Sequence, residues 1–75
     1  MKIEEFIKVL ANQFDETSED ELTPNCVIQD LDEWSSISVM GIIAMAKTEF
    51  GKTITGKEIR GCETVEDLFN LIVSK

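Results

Sequence analysis

Seventy-five residues with 43% hydrophobic side chains suffice for one small domain with a thin core. Fifteen acidic against seven basic residues give a formal net charge of -8. That balance argues against binding to nucleic-acid phosphates or anionic membrane and favours basic partners. The absence of His and Tyr removes the commonest general base and metal ligand.

The start, MKIEEF, has no apolar run behind its lysine and is not expected to be a secretory signal. Residues 2–14 are predicted to form an amphipathic helix, because Ile3, Phe6, Ile7, Leu10 and Phe14 recur at helical spacing. Residues 15–34 show no clean period and are predicted as a long loop holding the only proline, Pro24. Val27, Ile28 and Leu31 are expected to turn inward and pin it. The whole net charge lies in the first half. Residues 1–34 carry 2 basic and 10 acidic residues, whereas residues 35–75 carry 5 of each. The cluster Asp15, Glu16, Glu19, Asp20 and Glu21 is read as a solvated loop rather than a cation site. Asp30, Asp32 and Trp34 faintly suggest a calcium loop, but Ser35 stands where its glycine belongs and Gly41 where its glutamate belongs. No metal site is expected.

A second helix is predicted over 36–50, ended by Gly51. Thr55 with Glu58 reads as a capping box for a short third helix stopped at Gly61. Thr64 with Asp67 caps a fourth by the same logic, with Val65, Leu68, Phe69 and Ile72 on one face. Cys26 and Cys62 lack CxxC spacing and any neighbouring base. Two reduced, structural thiols in a cytoplasmic protein are expected, with one disulfide the alternative. The longest apolar stretch, Val39 to Ala46, is too short to span a bilayer. Lys57 and Arg60 are expected to complement the carboxyl end of the third helix, with facing a partner the alternative.

At 100° per residue, Val39, Ile42, Ile43, Ala46 and Phe50 form the core face of the second helix. Ile37, Met40, Gly41, Ala44 and Met45 fall on the opposite side or at its edge, where water is expected. Scattered surface hydrophobes would explain them, and so would a docking stripe for a partner protein. Just before this helix runs Asp32-Glu33-Trp34-Ser35-Ser36-Ile37-Ser38. Serines here are expected helix caps. A hydrolase would need a base, and none is near, so no catalytic residue is assigned. A helix start does favour an anionic group attached nearby, which suits a serine carrying a phosphodiester.

With these residues in place, the chain resembles the acyl carrier proteins of the phosphopantetheine-binding family over nearly its whole length. Ser35-Ser36-Ile37 matches the family's Asp-Ser-Leu attachment motif. Glu49-Phe50-Gly51, Ile54, Glu58-Ile59 and Thr64-Val65-Glu66-Asp67-Leu68 follow in the family's order, and Leu22-Thr23-Pro24 and Asp30-Leu31 match the loop leading to the modified serine. Trp34 before the motif is similar to the Trp-Asp-Ser-Leu form of specialised carriers.

The resemblance implies an all-α fold spanning residues 1–75. It is a four-helix bundle with a short third helix and a long loop between helices one and two. It implies that Ser36 receives 4'-phosphopantetheine from coenzyme A through a phosphopantetheinyl transferase. The arm then carries acyl groups as thioesters among acyl-activating, acyl-transferring or condensing enzymes. The protein would be a monomeric carrier, not an enzyme. Ser35 is the alternative attachment site and Ser38 a more distant one. Three departures from the family stand out. Ser35 replaces the motif's Asp, two serines adjoin, and the second helix holds few acids. The last favours partners that dock through apolar contact with Ile37, Met40, Gly41 and Ala44. The competing reading is an unmodified helical docking module that uses the same stripe.

Overall fold

The computed structural model describes residues 2–75. Among these the fold is all-α. Its helices are α1 (Ile3–Ala11), α2 (Ser36–Phe50), α3 (Gly56–Arg60) and α4 (Val65–Val73). No strand forms among the described residues, apart from one isolated antiparallel bridge between Val27 and Thr64.

Each helix begins where local chemistry permits. The hydroxyls of Thr55 and Thr64 accept the backbone N–H of Glu58 and Asp67, whose carboxylates reach back to the cap residue, so both expected capping boxes form. Ser35 caps α2 by accepting the N–H of Ser38. Gly51 ends α2 with a φ of +66°, a left-handed conformation that disfavours any side chain. Lys2 has no acceptor to cap α1.

Helix α1 is shorter than its hydrophobic period. Beyond Ala11 the chain tightens, with Asn12, Gln13 and Phe14 each donating to the carbonyl three residues back. That extra tight turn carries Phe14 into the core.

The core gathers one stripe from each helix and adds Leu22 and Ile28 from the stretch between α1 and α2. Phe6 sits at its centre, its ring 5.9 Å from that of Phe50 and 5.5 Å from that of Phe69, joining α1 to α2 and α4. Every buried side-chain polar atom among the described residues has a partner.

The segment 12–35 is ordered by short pieces of structure. Single 3-10 turns form at Glu19–Glu21 and Ile28–Asp30. Residues 24–28 lie along the entry to α4. Ile28 N–H donates to Glu63 O, Val65 N–H to Cys26 O and Glu66 N–H to Pro24 O. The extended backbone at this bridge alternates its side chains. Ile28 is therefore buried and Val27 points outward, 41% exposed, while Leu31, beyond the 3-10 turn, is half-buried. The expectation that Val27 turns inward is corrected.

Candidate functional site

The serines expected to matter sit at the start of α2, where they hold three different positions. Ser35 is the cap, its Oγ 3.4 Å from Ser38 N. Ser38 is buried, and its hydroxyl donates to Glu33 O at 2.7 Å. Ser36 is the first residue of the helix, exposed, and takes no part in the cap. Of the three hydroxyls, Ser36 is the one free to meet another molecule without dismantling the helix start. Ser38 is the least accessible of the three.

An upstream clamp supports this turn. The Glu33 carboxylate accepts the backbone N–H groups of Asp15, Glu16 and Thr17 at 3.0, 2.9 and 2.7 Å, and the Thr17 hydroxyl at 2.7 Å. The Thr17 hydroxyl foremost, then the three N–H groups, hold the Glu33 carboxyl below its ordinary value of 4.5. So Asp15 and Glu16 contribute their backbone to this clamp, while the Glu21 carboxylate accepts the Ser18 N–H at 3.4 Å in a small capping box of its own. Among the described residues no group of three or more His, Cys, Asp or Glu is placed to hold a metal ion.

Trp34 is half-buried, its backbone N–H donating to Leu31 O at 3.0 Å, and its ring packs on the core. With Ser36, Val39, Met40 and Ile43 it lines a groove of about 670 Å³ between α2 and α3. Gln29 and Arg60 complete the walls; sequence alone gave no signal for Gln29 and named Arg60 only for its own helix end or a partner. Gln29 donates its amide to the carbonyls of Arg60 and Cys62, at 3.3 and 3.5 Å, across more than thirty residues of chain. The Arg60 guanidinium does not serve the carboxyl end of α3, as the sequence suggested. A Cβ placed on Gly56 would lie 3.6 Å from Arg60 Nη2. The side chain therefore folds back along its helix toward the first turn, the direction in which helical side chains lean.

The outer face of α2 is apolar where water meets it. Ile37 is 79% exposed and Met40 69%, and Ala44 is exposed beside them. Two residues depart from the expected stripe. Met45, expected at the solvent edge, is 2% exposed and belongs to the core. A full wheel places it beside Ile42 and Ala46, so the buried arc of α2 is wider than five residues imply. Gly41 is half-buried beneath Gln13, whose Oε1 would stand 2.9 Å from a Cβ built there.

Cys26 and Cys62 are free thiols. Burial first, then the nearby carboxylates of Asp30 and Glu21, push the Cys26 thiol above its ordinary value. Burial, then Asp67 and Glu58, do the same for Cys62. Both are poor nucleophiles at neutral pH.

No helix of the described residues is long and apolar enough to cross a membrane. No protein-family model matches the chain, and no curated protein or solved structure matches it.

Proposed function

We propose that the chain is an acyl carrier protein, a four-helix bundle that bears 4'-phosphopantetheine on Ser36 and carries acyl groups as thioesters. The observation that carries this reading is the division of labour among the serines. Ser35 caps, Ser38 is locked inside, and Ser36 stands exposed at the first position of a fifteen-residue helix. The donor set suits a phosphodiester. An exposed primary hydroxyl lies beside a helix start with no acidic residue in its first turn, where unpaired N–H groups favour negative charge. In the attachment step the Ser36 oxygen forms a bond to the phosphorus nearest the pantetheine. The bond to adenosine 3',5'-bisphosphate breaks, and the hydroxyl proton leaves to a base of the transferase.

The arm supplies a terminal thiol on which the acyl group rides. The chain's own residues hold the helix start rigid, through Ser35, Ser38 and the Glu33 clamp. Exposed Ile37, Met40 and Ala44 sit beside the attachment point, where transferase and acyl-handling enzymes would dock. The cysteines, raised in pKa, would not compete for the acyl group. A cytoplasmic location and a monomeric state belong to the same proposal.

The test is incubation with coenzyme A, magnesium and a broad-specificity phosphopantetheinyl transferase, followed by intact mass and peptide mapping. One added phosphopantetheinyl group on Ser36, lost in Ser36→Ala and kept in Ser35→Ala, is the expected result. Attachment to Ser35 would move the site by one residue. A folded chain that no transferase modifies would favour the unmodified docking module, which the same exposed Ile37 and Met40 would serve.

A further inference from the structure

The groove between α2 and α3 has a charge pattern unlike the rest of the molecule. Fifteen of the 75 residues are Asp or Glu, yet none lines it. Its one charged wall residue is Arg60, the only arginine in the sequence. The ion pair formed among the described residues, Lys75 with Glu58, leaves Arg60 out. The guanidinium lies over Gly56, facing Val39 of α2 across the groove, and Ser36 opens into the same space. Gln29 holds the Arg60 and Cys62 carbonyls, which fixes the backbone that carries the guanidinium. An uncommitted planar cation on an otherwise apolar, carboxylate-free wall complements an anion with an apolar body.

Resting on the carrier reading, we infer that Arg60 pairs with the phosphodiester of the arm on Ser36 and lays the arm into this groove. Val39, Met40 and Ile43 would floor the arm's apolar portion, while Arg60 anchors its charged end. Arg60 is thus a positioning residue that sets where the thiol emerges, and it acts before any partner enzyme binds.

A single arginine gives a single Nε–Hε resonance, so the test needs no variant to be readable. Its chemical shift and its exchange with water are measured in the unmodified protein and after complete loading with coenzyme A and transferase. The phosphorus resonance of the loaded form is recorded in parallel. The inference predicts a downfield Hε shift on loading and exchange slowed about fivefold, the factor an exposed ion pair can supply. The phosphorus signal should move in loaded Arg60→Gln and be partly restored in loaded Arg60→Lys, which keeps the charge but not the fork. Full loading with an unmoved Arg60 signal would overturn the inference and leave the carrier reading standing. Failure of any transferase to load Ser36 would overturn both.

Discussion

Three serines within four residues make the site ambiguous in sequence, and their hydrogen bonds separate them. Ser35→Ala removes the cap of α2 and is expected to cost about 1 kcal/mol, read as a lowered midpoint in urea with an unchanged slope. Ser36→Ala removes an exposed hydroxyl and should leave the midpoint in place while abolishing attachment. Ser38→Ala strips a buried bond from Glu33 O and is expected to cost about 1 kcal/mol or more. Glu33 makes a separate, pH-dependent prediction. Its folded pKa lies below the unfolded value, so its contribution is present above that value and fades as pH falls through the folded one. Glu58 has the same sign, held down by Lys75 first and then by the Thr55 N–H. Thermal unfolding of wild type and Glu33→Gln should therefore differ at pH 7 and converge well below pH 4.5. A gap that persists in acid would remove the clamp from the account. The serines at the start of α2, and the cap among them, were legible in the chain. The Glu33 clamp was not, because its partners lie sixteen to eighteen residues away with no periodic signal.

At the scale of elements, caps and stops were the most legible features. Thr55, Thr64 and Gly51 act within four residues of themselves, so their chemistry is local and readable. Gly51→Ala would force a side chain into the left-handed region and is expected to cost about 1–2 kcal/mol. What sequence could not show is what another element does to a helix. Phe14 reaches the core through a tight turn rather than a longer α1, and Met45 is buried because α2 is covered on more than one side. Gly41 is the sharpest case. A glycine mid-helix costs about 1 kcal/mol relative to alanine, and here the atom facing it is the far end of the flexible Gln13. Gly41→Ala should therefore stabilise the protein by up to about 1 kcal/mol as Gln13 swings aside, measured by the urea midpoint. Destabilisation would mean that the Gln13 contact itself holds α1 against α2.

Over the whole molecule, charge and apolar surface are segregated. The first 34 residues carry the entire net charge, and their backbone is tied down by Glu33 and by the pairing of residues 24–28 with the entry to α4. The exposed apolar residues Ile37 and Met40 flank Ser36, the proposed attachment point, on the neutral half. Ile37→Glu with Met40→Glu should leave stability within about 0.5 kcal/mol, since neither residue is buried. The same double variant should slow loading by the transferase at least about tenfold, as expected when apolar contacts at the centre of an interface are lost. Unchanged loading would place the docking surface elsewhere. The separate helices followed from helical periods and caps, whereas the groove that brings Gln29 to Arg60 arises from contacts distant in sequence, which no local pattern reports.

The most direct measurement is the intact mass of the protein purified from cells that contain a phosphopantetheinyl transferase, with the modified peptide mapped. The account predicts a population heavier by one phosphopantetheinyl group on Ser36, part of it heavier still by a thioester-linked acyl group that hydroxylamine releases. A well-folded protein found only at its unmodified mass would contradict it.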